Sequence, residues 1–349
     1  MLAWSKLKAR IPLPRLPKLP GWFKIPSLPG LDRRVPIGLR LKAWWRGDEI
    51  IVHARPESAP AAAPTEPAPI SAAPSKVIGY RDPARPWETP KVVLAQGLWG
   101  SEWHLPGGAE YAAELIRPFG LNPAMTVVDL HAGLGGSARS MASQYGLWVN
   151  GYEYDDELAE AGKQLSQLHG LAKKAPVTKY NPEDFELQPG SCDCILAREI
   201  LHRVHEKSRF MKQIAIALKP GGQLLLTDFV LSDAKAADHP AVKTWLEREK
   251  TTEVPWTLRD YQAALPAVKM DTRVAEDVTP AYRGMIISGW ASFTTAVAKS
   301  GDKPDAETGL GLAAEAERWT RLVAAIDAGD IRVYRIYAIR QSGKLAADL

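Results

Sequence analysis

The run VVDLHAGLGGSA at Val127–Ala138 gathers residues suited to holding a ligand. An apolar stretch ends at Asp129, and Gly133, Gly135 and Gly136 follow before a helical pattern begins. Glycine at such a turn lets the backbone approach a ligand closely and swing tightly into the helix. Glu153 ends a second apolar stretch, twenty residues beyond Gly133, where a carboxylate can accept from two ribose hydroxyls. Strand, glycine turn, helix and a second strand with an acidic end together imply a cofactor that carries a nucleoside. His131 lies inside the turn, where a side chain demands a negative φ or room for an imidazole. His202 is the acid/base candidate, because an imidazole exchanges protons near neutral pH. His202 and His205 are spaced i, i+3, but no acidic or cysteine set accompanies them, so no metal site is expected. Cys192 and Cys194 lie too close in sequence for an ordinary disulfide, which fits a reducing cytoplasm.

These residues need a scaffold, and the pattern around them alternates between strand and helix. Strands are expected at Thr126–Leu130, Leu147–Glu153, Val177–Asn181, Cys192–Ala197 and Gln223–Asp228. Helices are expected at Gly107–Pro118, Ser137–Tyr145, Asp156–Leu168 and Lys207–Leu218. The last of these meets a stop signal in Lys219-Pro220-Gly221-Gly222. Near-continuous apolar strands in this alternation predict an α/β fold with a mostly parallel sheet covered by helices on both faces. Residues 230–330 read as mainly helical, with Thr257 as an N-cap before Tyr261. The alternating stretch Ile331–Arg340 reads as a final strand.

The 349-residue chain carries a net charge of only +4, but its first 48 residues hold eleven Lys/Arg against two Asp. Proline recurs throughout that stretch, interleaved with Trp4, Trp22, Phe23, Trp44 and Trp45. Repeated proline excludes a long helix, and indoles beside Lys/Arg suit an anionic membrane surface. A solvated basic tail is the plainer alternative, and nucleic acid is not favoured. We divide the chain into a basic Pro/Trp-rich arm (1–54), an Ala/Pro-rich linker (55–85) and a folded domain (86–349). No apolar run approaches the ~20 residues that span a bilayer, and no signal-peptide pattern is read at the start. A cytoplasmic protein, peripheral on the inner face of the membrane, is the expectation.

VVDLHAGLGG resembles the first motif of the class I S-adenosylmethionine-dependent methyltransferases, and GYEYDDELAE resembles their second. LKPGGQLLLTDFV (Leu218–Val230) is similar to a segment of the ubiquinone/menaquinone and phosphoethanolamine methyltransferases. LWGSEWHLPGG (Leu98–Gly108) and REILHRV (Arg198–Val204) look most like the phosphoethanolamine type. The resemblance covers roughly Leu98–Arg340. It implies a Rossmann-like methyltransferase fold with a seven-stranded sheet, a helical acceptor-pocket insertion at about 230–330, and S-adenosyl-L-methionine as cofactor. It implies that Asp129 orders the turn and reaches the cofactor's amino group, and that Gly133 and Gly135 line its methionine part. Glu153 would hold the ribose, Tyr154 would lie beside adenine, and Asn181 takes the place of an Asp that reads adenine. Ala197 and Arg198 would meet the methionine part, and Trp103 replaces a cofactor-side Tyr. The acceptor would be small or lipid-linked, an amine among the candidates, with Tyr261, Tyr282 and Arg283 on its side. The tyrosines that hold phosphate in that family find no clear counterparts, which argues against a phosphobase. The alternatives are a quinone or other C/O-methyltransferase, and an inactive relative serving as a membrane-associated interaction module.

Overall fold

The computed structural model describes residues 85–342 apart from 250, 252 and 301–305. The arm and all but the last residue of the linker lie outside the described residues. A 3-10 turn at Pro86–Glu88 leads into α1 (Pro90–Trp99) and α2 (Gly108–Ile116). There follow β1 (Thr126–Leu130), α3 (Gly136–Tyr145), β2 (Trp148–Glu153), α4 (Asp156–Leu168) and β3 (Val177–Lys179). The second half runs β4 (Cys192–Arg198), α5 (Lys207–Ala217), β5 (Leu218–Leu231), α6 (Pro240–Glu249) and α7 (Leu258–Ala267). It ends with β6 (Met270–Asp277), α8 (Thr279–Ser300), α9 (Ala306–Asp327) and β7 (Ile331–Arg340). Among the described residues no helix is long and apolar enough to cross a membrane.

Seven strands form one sheet in the order β3-β2-β1-β4-β5-β7-β6. All neighbours are parallel except β7, which runs antiparallel to both β5 and β6. The chain builds outward from β1 to β3 and then crosses back to β4. The order therefore reverses between β1 and β4, and ligands of open α/β sheets gather outside the strand ends at such a point. Continuous apolar strands supply both faces at once. Val127, Cys194, Leu196 and Leu225 pack into one core layer. Val128, Leu130, Ile195 and Leu224 pack into the other. Truncating a fully buried leucine of this kind to alanine costs about 2–5 kcal/mol, so the central strands are held in register by both layers.

Local sequence explains several boundaries. Asp155 caps α4, its Oδ1 accepting from Glu157 N at 3.2 Å and Leu158 N at 3.1 Å. Thr257 and Asp260 form a reciprocal capping box at the start of α7, which satisfies two backbone donors otherwise left open. Lys219-Pro220-Gly221-Gly222 does end α5, but the chain continues extended: Leu218 pairs with Cys192, and after a register shift Gln223 pairs with Cys194. The mainly helical reading of 230–330 needs one correction, since Met270–Asp277 is a strand. It pairs with β7 alone and is largely solvent-exposed, so it carries charges in place of the apolar alternation that marks a half-buried strand.

Candidate active site

The turn after β1 is built from backbone. His131 N and Ala132 N both donate to Tyr152 O at 2.9 Å, tying the turn to β2. Gly133 N donates to Glu153 Oε2 at 2.7 Å, and Asp155 N donates to Glu153 Oε1 at 2.8 Å. Glu153 is wholly buried, so one carboxylate joins the turn after β1 to the turn after β2. Burial pushes its carboxyl up to about 7, against the pull of those two amides. Gly133 is required at its position: φ is +55°, and an added Cβ would lie 2.0 Å from His104 Nδ1. At Gly136 a Cβ would lie 2.6 Å from Glu102 O. The segment Glu102–His104 thus lies directly on the turn.

His131 adopts φ +90°, a left-handed conformation that costs a side-chain-bearing residue about 1–2 kcal/mol. Its imidazole has room: Nδ1 lies 2.7 Å from Arg198 O, and its ring centroid is 4.9 Å from that of His104 and 5.2 Å from that of Tyr154. Burial holds His131 down to about 3 and His104 well below the ordinary imidazole value, so both rings are neutral. Asp129, at the end of β1, is buried with Oδ2 unpartnered. Burial raises its carboxyl to about 7, with Arg198 pulling down and Glu199 pushing up.

The ends of β4 and β5 supply the other side. Glu199 follows β4 at φ +43° and is 2% exposed. Its N donates to Thr227 O at 2.7 Å, and the Thr227 hydroxyl donates to Oε1 at 2.9 Å. Oε2 has no hydrogen-bond partner, though Arg198 Nε stands 3.7 Å away. Burial raises the Glu199 carboxyl above its ordinary value, opposed by Arg198 and the Thr227 hydrogen bond. His202, on the 3-10 turn Leu201–Arg203, sets Nδ1 2.8 Å from Asp228 Oδ1. Its ring stacks on Trp245 at 5.8 Å and meets the edge of Phe229 at 4.9 Å.

A cavity of about 560 Å³ lies over these strand ends. His104, His131, Tyr154 and Asp155 line one side; Glu199, His202, Phe229 and Tyr282 line the other. Helix α9 covers it with Glu315, Arg318 and Trp319. Arg318 bridges Glu249 Oε1 at 3.1 Å and Glu315 Oε1 at 2.7 Å. Arg203 lies 4.8 Å over the Tyr154 ring, donates to its hydroxyl, and reaches Glu249 O at 3.1 Å.

His202, Tyr154 and Tyr282 therefore line the cavity, while Gly133, Gly135, Asp129 and Glu153 form the turn and strand ends beneath it. Arg198 and Ala197 are buried at the end of β4, and neither lines the cavity. Trp103 packs on Gly136, away from the cavity, because the chain turns there and presents His104 instead. Asn181 is exposed and its Oδ1 accepts from Glu183 N at 3.1 Å, in a local turn. Tyr261 is buried and donates to Asp228 Oδ2 at 2.6 Å, so it stands behind His202 and not in the cavity. Arg283 pairs with Asp327 at 2.6 Å on the surface. The sequence reading passed over His104, Glu199, Asp228 and Arg318. Glu199 carried a usable signal, since it directly follows the carboxyl end of a parallel strand; Asp228, inside β5, and Arg318, far along the chain, carried none.

The site fits the cofactor expected from the sequence. A cavity of 560 Å³ falls within the roughly 300–1,000 Å³ usual for small-ligand sites. It lies at the topological switch point, and the unpartnered Asp129 Oδ2, Glu199 Oε2 and His104 Nε2 are in its surroundings. A family model for a methyltransferase domain matches residues 105–265. Phosphoethanolamine N-methyltransferase 2 of Caenorhabditis elegans is 28% identical over 134 residues, covering 37% of this chain and 30% of that one. The glycine/sarcosine/dimethylglycine N-methyltransferase of Actinopolyspora halophila is 29% identical over 114 residues, covering 33% of this chain and 20% of its own. The chain thus spans less than a third of the length of these relatives. Among solved structures, Haemonchus contortus phosphoethanolamine N-methyltransferase 2 in complex with S-adenosyl-L-methionine superposes with a TM-score of 0.64 at 18% identity. The match covers 73% of this chain and 58% of that one, a likeness of fold. Residues 105–265 thus match a methyltransferase domain, and the fold agrees with that of the structure solved with S-adenosyl-L-methionine.

Proposed function

We propose that the domain transfers a methyl group from S-adenosylmethionine to the nitrogen of a small or lipid-linked amine. The observation that carries this reading is Glu199 Oε2, a buried carboxylate oxygen that accepts no hydrogen bond, with Arg198 Nε no nearer than 3.7 Å, on a residue that lines the same cavity as His202. An ammonium group satisfies such an oxygen with a charge-assisted hydrogen bond. The aromatic residues Phe229, Tyr282 and Trp319 line the same space, and aromatic rings attract a cation. Names of the relatives, which act on phosphoethanolamine, glycine and sarcosine, point to the same class of nitrogen acceptor.

When bound, S-adenosylmethionine supplies a methyl group activated by its sulfonium. Asp129, the Gly133–Gly135 turn, Glu153 and Tyr154 would hold it. Glu199 binds and orients the acceptor ammonium. The carboxylate of Asp228 accepts from Nδ1–H of His202, which leaves Nε2 as the nitrogen free to take the proton that the acceptor must lose. Alignment does the larger part of the work, because a reactive methyl held in line with a nucleophile needs little further activation.

We further infer a cytoplasmic protein held at the inner face of a membrane by residues 1–48. The support is the charge of that stretch and its five interleaved Trp and Phe residues. The test of the activity uses the full chain, methyl-labelled cofactor, a panel of small amines including phosphoethanolamine, glycine and sarcosine, and membrane lipid and quinone extracts. Label in an amine supports the reading. Label confined to the quinone fraction overturns it.

A further inference from the structure

We propose that His104, His131 and Glu153 form a binding site for one divalent transition-metal ion of the zinc type, and that this ion excludes the methyl donor. One ligand atom from each of the three residues lies within 4.8 Å of the others. Among the described residues this is the only such grouping of three.

Each side chain is oriented as a metal ligand would be. A carbonyl only accepts, so the 2.7 Å contact with Arg198 O places the proton of His131 on Nδ1. Its lone pair is then on Nε2. A ring fixed through the opposite nitrogen by a backbone carbonyl is the usual second-shell arrangement of a ligating histidine. His104 presents Nδ1 toward Gly133, and its Nε2 is buried without a hydrogen-bond partner. Glu153 is fixed by two backbone amides, and a carboxylate with about four lone-pair directions keeps capacity for an ion.

Two imidazoles and one carboxylate suit zinc and its neighbours, with remaining positions open to solvent or ligand. His104 and His131 line the cavity, which provides access. Ligands about 2.1 Å from a tetrahedral ion lie about 3.4 Å apart, so the set closes by up to about 1.4 Å on binding, within reach of side-chain rotation. The strained φ of +90° at His131 is then the cost of placing an imidazole where glycine would be relaxed. Exclusion of the methyl donor follows from sharing: Glu153 is also the candidate ribose acceptor. This second part rests on the cofactor reading, and the first does not.

The test titrates Co2+, as a coloured substitute for zinc, into the full chain after removal of trace metal with a chelator. One equivalent should give visible ligand-field absorption. His131→Gly and His104→Ala should each weaken binding by tenfold or more. Glycine is at ease at φ +90°, so His131→Gly retains the fold, which circular dichroism checks. His205→Ala controls for the exposed His205, which lies 3.0 Å from Glu253, and should leave the affinity unchanged. Equal Co2+ affinity in wild type and His131→Gly, or absence of the absorption, overturns the metal site. Calorimetry with S-adenosylhomocysteine then tests the exclusion. Zn2+ should weaken its binding tenfold or more in wild type and leave His131→Gly unaffected. Undisturbed binding in wild type overturns the exclusion. Failure of S-adenosylhomocysteine to bind in chelator removes the exclusion together with the cofactor reading, while the cobalt titration still decides the metal site.

Discussion

Asp228 holds His202 from the end of the neighbouring strand, with Oδ1 2.8 Å from Nδ1, while its other oxygen accepts from the Tyr261 hydroxyl at 2.6 Å. The chain Tyr261–Asp228–His202 runs from the core to the cavity wall. His202→Ala should lower kcat by about 10²–10⁴-fold, the usual worth of general acid–base catalysis. Asp228→Asn should retain part of that rate, because the ring loses its orienting acceptor but keeps its place. Tyr261→Phe should act chiefly on stability, costing about 1–3 kcal/mol by leaving a buried carboxylate oxygen unpaired. Turnover with methyl-labelled cofactor and urea denaturation of the same variants separate the two effects.

Glu199→Gln keeps the shape of the acceptor wall and removes its charge. For an ammonium acceptor the lost charge-assisted bond is worth about 1.5–3 kcal/mol, or about 10- to 10²-fold in kcat/KM. Binding of S-adenosylhomocysteine should be nearly unchanged by calorimetry. An equal loss of cofactor affinity would place Glu199 on the donor instead.

Asp129 should make the ligand-free protein less stable as pH rises. Its folded carboxyl is raised to about 7, above the unfolded value near 4. Between these values the native state keeps a proton that the unfolded state has lost. Stability therefore falls from about pH 4 to pH 7 and is level beyond, by a few kcal/mol on the order given by 1.4 kcal/mol per pH unit. Asp129→Asn mimics the protonated form at every pH. Its stability relative to wild type should grow between pH 5 and 8 in urea titrations.

His131 has the opposite sign. Its folded imidazole is held to about 3, below the unfolded value, so its neutral burial is without cost above about pH 6.5 and is penalised as pH falls below it. His131→Gly relieves left-handed strain of about 1–2 kcal/mol and loses one hydrogen bond of about 1 kcal/mol. The two proteins should match within about 1 kcal/mol at pH 7. At pH 5 the variant should be the more stable by about 2 kcal/mol, read from denaturation midpoints.

Arg318 ties α9 over the cavity through Glu249 and Glu315. Glu249 is 5% exposed and keeps only a 3.7 Å ion pair with Arg203, so Arg318→Met removes its closer partner and should cost about 1–3 kcal/mol. The same change loosens the cover, and the KM for the acceptor should rise.

The arm makes an independent prediction. Deleting residues 1–48 should abolish cosedimentation with anionic vesicles while leaving S-adenosylhomocysteine binding intact. Binding of the full chain should weaken as salt rises, since the Debye length shrinks from about 10 Å at 0.1 M to about 3 Å at 1 M.

The α/β alternation, the glycine turn, Glu153 and His202 were legible because each rests on residues close together in sequence: apolar runs, a turn and a strand end. The capping role of Thr257 was legible for the same reason, since Asp260 lies three residues away. Strand β6 was not, because a solvent-facing edge strand such as Arg273–Asp277 has no apolar alternation to read. Tyr261 and Arg283, read as substrate-side residues, do not line the cavity, because packing turns one to Asp228 and the other to Asp327.

By itself the sequence determined the fold class, the switch-point turn and the cofactor class, because local periodicity and short motifs encode strands, helices and backbone turns. Tertiary structure alone decided which side chains face one another across the cavity. His104 meets His131 because the segment after α1 folds down onto Gly133, and Glu199 joins His202 and Asp228 because β4 ends beside Thr227 of β5. Those meetings depend on contacts between residues distant in sequence, whose partners are fixed only when the sheet closes its register and the helices cover it.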